Sequence, residues 1–186
     1  MTRFLSQIIN RRVLGPLRRF ARGQDGVVSI EVAMLLPVFI FFFVSAFETG
    51  LLMTRQVMLD RGMDIAIRSV RLGTMATVTP ATLRAAICNN ALVIPNCATK
   101  LRIEMRTVDL LNWVDVPTQP ECEDMASPSA PLETFQRGQA NQMVVVRACA
   151  LFEPVFPTIG FGERVKKETG NYYGLVSVSA FVREPL

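Results

Sequence analysis

The chain contains no histidine, and this absence excludes a large part of enzyme and metal chemistry. Histidine is the most frequent general base and the usual nitrogen ligand of zinc, so histidine triads and histidine metal sites are ruled out. The sequence also lacks a G-x-S-x-G motif and a glycine-rich phosphate-binding loop. We therefore expect a protein that is not an enzyme, with no catalytic residue, no bound metal and no cofactor. A membrane-anchored hydrolase is disfavoured for the same reason.

Beyond its first 26 residues the chain has no excess of basic residues. The net charge of +4 and the isoelectric point near 9.2 would, taken alone, suit a nucleic-acid-binding protein. However, six arginines and a single acid precede residue 27, and after that point the acids outnumber the bases by one. The folded part therefore has no basic face for phosphates, and we expect no nucleic acid partner.

Charged residues are also missing from one long segment near the N-terminus. Between Glu31 and Glu48, the 16 residues from Val32 to Phe47 are uncharged and mostly apolar. With its flanks, from Val27 to Met53, this segment reaches the roughly 20 residues that cross a bilayer. The whole chain is 50% hydrophobic with a mean hydropathy of +0.31, which is more than a soluble domain requires. The sequence thus predicts that the lipid bilayer is a partner.

The arginines before the apolar segment determine its predicted orientation. Basic residues immediately before a membrane span are typical of the cytoplasmic side. We therefore predict a basic cytoplasmic leader at residues 1–26, a transmembrane helix at 27–53, and a folded domain at 54–186 outside the cytoplasm. The chain would cross the membrane once.

Helical periodicity continues past the apolar segment. Apolar residues recur at i, i+3, i+4 and i+7 from Met63 to Val70, and Gly73 is suited to end a helix. One helix from about Val27 to about Leu72 is therefore predicted. A second, short helix is predicted from Thr79-Pro80, an N-cap followed by a proline at the first helical position, to about Asn90.

Three later segments have the patterns of β-strands. Residues 100–108 alternate, with Leu101, Ile103 and Met105 on one face and charged side chains on the other. Residues 142–152 are more continuously apolar, as in a central strand. In residues 172–183, one face holds apolar side chains at alternate positions, namely Val176, Val178, Ala180 and Val182. The predicted fold is α+β, with an antiparallel sheet of three or four strands.

Four cysteines, Cys88, Cys97, Cys122 and Cys149, all follow the apolar segment. An even number in an exported domain favours two disulfides and an oxidising compartment, with buried free thiols in a cytosolic domain as the alternative. Four cysteines permit three pairings. Cys88 and Cys97 are nine residues apart across a helix end and a turn with Pro95, which favours their pairing and leaves Cys122 with Cys149. The cysteines lack the CxxC spacing that is typical of zinc sites, so zinc binding is not expected.

The start of the apolar segment carries a processing-type motif. Gly26 lies directly before Val27, and Glu31 lies five residues after the glycine. An ordinary signal peptide has its small-residue cleavage site beyond the apolar region, whereas cleavage after Gly26 would retain the helix. A carboxylate inside an apolar run is unfavourable, which makes Glu31 a functional candidate.

This arrangement resembles the type IV prepilin processing motif, in which a prepilin peptidase cuts after the glycine. Together with Pro37, the run Phe47-Glu48-Thr49-Gly50 and the pair Arg55-Gln56, it resembles the TadE-like minor pseudopilins of the Flp/Tad pilus and secretion system, over most of the chain. Val32 stands where the major Flp pilin typically has tyrosine, which argues against the main fibre subunit.

The resemblance implies a minor pseudopilin or assembly factor of a Tad-type apparatus, anchored in the bacterial inner membrane with a pilin-like periplasmic domain. It implies cleavage between Gly26 and Val27 and assembly through Glu31. The implied partners are a prepilin peptidase, other pilin-like subunits and further Tad components. If the Gly26–Glu31 spacing arose by chance beside an uncleaved helix, the chain would instead be a membrane-anchored periplasmic adaptor of the same system. Glu48 is expected only to mark the outer membrane interface.

A short segment after the second predicted strand combines aromatic residues and prolines. Phe152, Phe156 and Phe161 lie beside Pro154 and Pro157. Packing in the core is the default expectation for these side chains. The alternative is an exposed patch that docks a protein or contacts the membrane.

Overall fold

A computed structural model describes residues 27–109, 122, 134–168 and 170–184. The predicted leader, including Gly26, lies outside these residues. The architecture is α+β, as predicted. In chain order the elements are helices α1 (Val27–Arg71), α2 (Pro80–Asn90) and α3 (Cys97–Lys100), strands β1 (Leu101–Val108) and β2 (Met143–Phe152), helix α4 (Phe161–Arg164), and strand β3 (Tyr173–Val182).

The chain divides into two compact units between Phe43 and Val44. In the first unit the structure describes a helical segment from Val27, and every residue from 28 to 43 is exposed. Helix α1 as a whole is long and apolar enough to cross a membrane. The exposed side chains of residues 28–43 are suited to lipid, because a water-exposed apolar surface of this extent would be unfavourable. The domain bounds at 26/27 and 53/54 stay predictions.

The second unit contains the core, which is built on the later part of α1. Five apolar residues of this helix are buried against the rest of the domain, namely Leu59, Met63, Ala66, Ile67 and Val70. Their spacing is the predicted helical periodicity. Gly73 follows with a φ of +68°, a left-handed conformation that glycine adopts without strain, and α1 ends there as predicted.

Helix α2 begins with a reciprocal capping arrangement. The N–H of Thr82 donates to the Thr79 hydroxyl at 3.2 Å, and the N–H of Thr79 donates to the Thr82 hydroxyl at 2.9 Å. The two bonds satisfy amides that a helix start leaves unpaired. Helix α2 packs closely on α1, since a Cβ added at Gly62 would lie 2.8 Å from the carbonyl oxygen of Ile87.

The three strands form an antiparallel sheet in the order β1-β2-β3. The central strand β2 is buried along most of its length, as its continuous apolar sequence predicted. The apolar face of β1, with Leu101, Ile103 and Met105, lies in the core.

The opposite face of β1 is more covered than the alternating pattern predicted. Arg102 on that face is only 7% exposed. Glu104 is in register with Arg147 of β2 and accepts a hydrogen bond from its Nε at 3.0 Å. Glu104 also pairs with Arg106. Cross-strand pairing of opposite charges lets these side chains remain on a partly buried surface.

The four alternating residues of β3 do share one face, and it is the outer one. Val178 and Val182 are exposed there. The core side of β3 instead holds Tyr173, Leu175 and Phe181. Two large aromatic rings bury more apolar area than the valines could, so they determine which face turns inward.

The structure contains two disulfides, with the pairing that the cysteine spacing favoured. Cys88 joins Cys97 between α2 and α3, and Cys122 joins Cys149 of β2. Cys122 belongs to a stretch of which the neighbouring residues are not described. The second bridge lies over Gly174, where an added Cβ would be 3.1 Å from the sulfur of Cys122.

Removal of the longer bridge is expected to destabilise the domain more than removal of the shorter one. Cys122–Cys149 spans 27 residues and Cys88–Cys97 spans nine. The chain-entropy model assigns about 3.5 kcal/mol to the longer loop and about 2.6 kcal/mol to the shorter one. Urea unfolding of the full chain in detergent micelles, with each cysteine pair changed to serine, measures the difference. Equal midpoints, or a larger loss without Cys88–Cys97, would contradict this ranking.

Candidate functional site

Glu31 lies in the first turns of α1 and is exposed, among exposed apolar neighbours. Ile30 and Val32, on either side of it, are 64% and 55% exposed. Among the residues that the structure describes, none forms a hydrogen bond or an ion pair with Glu31. The chain thus presents a carboxylate on an apolar helix surface, ready for a group from outside the described fold.

The predicted cleavage position is only partly described. Gly26 lies outside the described residues, and Val27 is the first residue of α1. Val27 and Glu31 are four residues apart, which places them about one helical turn from each other. An amine at Val27 would therefore be within one turn of the Glu31 carboxylate.

Glu48 links α1 to the segment after β2 by hydrogen bonds. Its side chain is only 2% exposed. The backbone N–H of Val155 donates to both carboxylate oxygens at 3.1 Å, and the N–H of Phe156 donates to one of them at 3.2 Å. Hydrogen bonds to an ionised acceptor are about twice as strong as neutral ones, so this contact joins residues 107 positions apart firmly.

Further contacts beside Glu48 hold the same segment against α1. The rings of Phe47 and Phe156 meet edge to face with centroids 6.3 Å apart. At Gly160, where φ is +69°, an added Cβ would lie 2.8 Å from the hydroxyl oxygen of Ser45. Glycine is required there both for the backbone conformation and for the close approach.

Arg55 and Gln56, about two turns after Glu48 along α1, contact the sheet. Arg55 donates to the hydroxyl of Tyr173 at 2.7 Å, and its guanidinium lies 5.0 Å from the ring centroid of Phe152. Gln56 donates to the carbonyl oxygen of Val176 in β3 at 3.0 Å. Burial raises the pKa of Tyr173, although the hydrogen bond from Arg55 acts in the opposite direction. The phenol therefore stays protonated and accepts the bond from Arg55.

The anchoring role of Glu48 is the feature that the sequence prediction missed. Glu48 was expected to mark the outer membrane interface, which stays a prediction, and the structure adds that its side chain is buried and accepts hydrogen bonds from backbone amides. The sequence did contain one signal for this role. Pro154 stands directly before Val155, and strand β2 ends shortly before it, at Phe152. The two amides that follow a strand end need acceptors, and an isolated acid in an apolar run needs donors.

The structure does not bring the remaining predicted residues into one site. Cys88, Cys97, Cys122 and Cys149 all lie in disulfides within the second unit, and Glu31 lies in the first. Among the described residues, no three metal-ligating side chains converge. The candidate site is therefore the start of α1, and the Glu48 contacts support the domain that follows it.

Comparison with known proteins relates part of helix α1 to a protein family. The family model described as TadE-like protein matches residues 26–68. The matched segment includes Gly26, Glu31, Glu48 and Arg55, and it confirms the predicted resemblance over that part of the chain. Resemblance over the sheet stays a prediction, since the match ends within α1. No curated protein and no solved structure matches the chain.

Proposed function

From the TadE-like match over residues 26–68, we propose that the chain is a minor pseudopilin or assembly factor of a Tad-type pilus or secretion apparatus. In this proposal α1 anchors it in the bacterial inner membrane, with the leader in the cytoplasm and the domain in the periplasm. The role is one of binding and assembly and involves no catalysis. One observation carries the proposal: Glu31 is exposed and unpartnered, among the described residues, on an exposed apolar helix within the matched segment.

The energetics of Glu31 support an assembly role. A carboxylate at the bilayer centre costs about 2.5–3.5 kcal/mol on insertion scales, and less near the interface. Cleavage after Gly26 would create an amine on Val27 close to that carboxylate. The amine can come from the same chain, which the spacing of one turn permits, or from an incoming subunit, which the family resemblance favours. Either pair would be shielded from water, so each charge would depend on the other.

The partners in this proposal follow from the same features. A prepilin peptidase would cut between Gly26 and Val27. Other pilin-like subunits would pack on the apolar surface of residues 28–43, which the chain itself leaves exposed. Further components of the apparatus would bind the periplasmic domain.

An uncleaved membrane-anchored adaptor of the same secretion system is the second candidate. It applies if the Gly26–Glu31 spacing arose by chance beside an uncleaved helix, and the contacts of Glu48 and the two disulfides are compatible with both candidates. The residue at the N-terminus of the mature protein distinguishes the two candidates: Val27 for the pseudopilin and Met1 for the adaptor.

The orientation of the anchor is tested with reporter fusions. Six arginines and one acid precede the apolar segment, so the C-terminus is expected outside the cytoplasm. A reporter that is active only in the periplasm should function when fused after Leu186, and a cytoplasmic reporter fused there should be inactive. Fusion of the same reporters after residue 53 is the matched control. The reverse pattern at both positions would show that the orientation is wrong.

A further inference from the structure

The segment after β2, residues 154–161, is uncharged and partly exposed. It lies between Glu153 and Glu163 and reads Pro-Val-Phe-Pro-Thr-Ile-Gly-Phe. Three of its apolar side chains face solvent to a large extent: Val155 is 46% exposed, Ile159 41% and Phe161 37%. Neighbouring exposed apolar side chains without a charge among them mark a surface that binds something.

This segment lies beside a defined stretch of α1. The carboxylate of Glu48 holds the amides of Val155 and Phe156, the ring of Phe47 meets that of Phe156, and Gly160 approaches Ser45. These contacts at three successive points place the segment alongside residues 45–48 of the helix.

Residues 45–48 follow directly on the stretch that is suited to lipid. At a rise of 1.5 Å per residue, residues 28–43 cover about 24 Å. The hydrocarbon core of a bilayer is about 30 Å thick. If α1 anchors the chain, as in the proposed function, lipid must extend past Phe43, and the edge of the hydrocarbon core lies at about Ser45 to Glu48.

The environment of Glu48 fits a position at the edge of the hydrocarbon core. A carboxylate there cannot rely on water for solvation, and two backbone amides take the place of water. The charges around the segment balance, with Glu153, Glu163 and Glu168 against Arg164, Lys166 and Lys167. Contact with lipid therefore rests on the apolar side chains of the segment.

We propose that residues 154–161 form a lipid-binding surface, which inserts Val155, Ile159 and Phe161 into the headgroup region beside the exit of α1 from the bilayer. The domain would then be held to the membrane at two points, the helix and this segment. The inference rests on the membrane anchor of the proposed function.

Lipid quenching of tryptophan fluorescence tests this surface in the full chain. The single tryptophan, Trp113, is first changed to phenylalanine. Separate variants then carry Ile159→Trp, Phe161→Trp or, as a matched exposed control in the domain, Leu92→Trp, where the native residue is 86% exposed. Phe39→Trp reports on the anchor itself. Each protein is reconstituted into vesicles of phosphatidylcholine and phosphatidylglycerol, with or without brominated acyl chains. The bromine is near the glycerol end for the domain variants and near the chain end for Phe39→Trp, whose position is close to the bilayer centre.

The proposal predicts that tryptophan at 159 and at 161 emits at shorter wavelength and loses most of its emission to brominated lipid. Tryptophan at 92 should keep its emission. If the emission of tryptophan at 159 and 161 is quenched no more than that at 92, while tryptophan at 39 is quenched, the lipid-binding surface is refuted and the membrane anchor is supported. If residue 39 is not quenched either, the anchor itself fails. Quenching at 161 alone would refute the placement of Ile159 in lipid.

Discussion

Glu31→Gln is expected to insert into the membrane and to be cleaved as the wild type is, yet to be lost from complexes with other pilin-like subunits. The substitution keeps the shape of the side chain and removes its charge, so the amine of Val27 is left without a partner in a medium that excludes water. Breaking a buried ion pair from one side costs about 3–5 kcal/mol. That corresponds to a loss in assembly of about a hundred-fold to a few thousand-fold, at 1.4 kcal/mol for each factor of ten.

Co-purification of pilin-like subunits with the tagged, detergent-extracted chain measures this loss. Glu31→Asp, which keeps the charge, should retain part of the assembly. Glu163→Gln removes an exposed carboxylate of the domain and should have no effect. If Glu31→Gln co-purifies its partners at the wild-type level, the carboxylate is merely tolerated near the headgroups. The pseudopilin mechanism would then have to be abandoned.

Glu48→Ala is expected to destabilise the domain by about 3–6 kcal/mol, since each of two hydrogen bonds to a charged group contributes about 1.5–3 kcal/mol. Two backbone amides, those of Val155 and Phe156, would lose their acceptor in a site where Glu48 itself is 2% exposed. Glu48→Gln keeps one carbonyl oxygen as acceptor, and its effect should lie between those of alanine and the wild type.

Urea unfolding of the full chain in micelles, followed by the signal of the folded domain, measures the effect of Glu48→Ala. Thr54→Ala is the control, because its hydroxyl donates to the Gly50 carbonyl on the exposed side of the same helix. That control should change the free energy of unfolding by less than about 0.5 kcal/mol. An unfolding midpoint of Glu48→Ala equal to that of Thr54→Ala would show that the hydrogen bonds of Glu48 contribute nothing to the stability of the domain.

The elements of the fold were predictable because each depends on local patterns. Helix α1 was expected to end near Leu72 and ends at Arg71, since the apolar periodicity and Gly73 together define it. Helix α2 begins at Pro80 because the Thr79-Pro80 pair fixes a helix start. Strands β1 and β3 follow from alternation and β2 from a continuous apolar run, and all three lie within a residue or two of the predicted bounds.

The inward face of β3 was not determined by its sequence alone. Both faces of this strand contain apolar residues. Alternation therefore assigns each residue to a face but does not predict which face is buried. Tyr173 turns inward because its hydroxyl meets Arg55 of α1, a residue 118 positions away. The role of Glu48 was hidden for the same reason: its partners are backbone amides, which any sequence supplies, and only the folded chain brings them within reach.

The disulfide pairing was only partly predictable from the sequence. Cys88 and Cys97 are joined by a short connection with a helix end in it, so proximity in sequence implied proximity in space. The pairing of Cys122 with Cys149 followed only by elimination, and a register error of one residue in β2 would have turned Cys149 towards the core.

The N-terminal residue of the mature protein decides between the processed pseudopilin and the anchored adaptor. The chain is expressed with its native processing machinery, extracted from the membrane, and analysed by intact mass and N-terminal sequencing. Gly26→Ala should be processed almost as well as the wild type because alanine is small, whereas Gly26→Phe should block cleavage and give the uncut mass as an internal reference. If the chain is a pseudopilin, the wild-type protein begins at Val27. A wild-type protein that begins at Met1, and whose mass differs from that of uncut Gly26→Phe only by the substitution itself, would contradict this and favour the anchored adaptor.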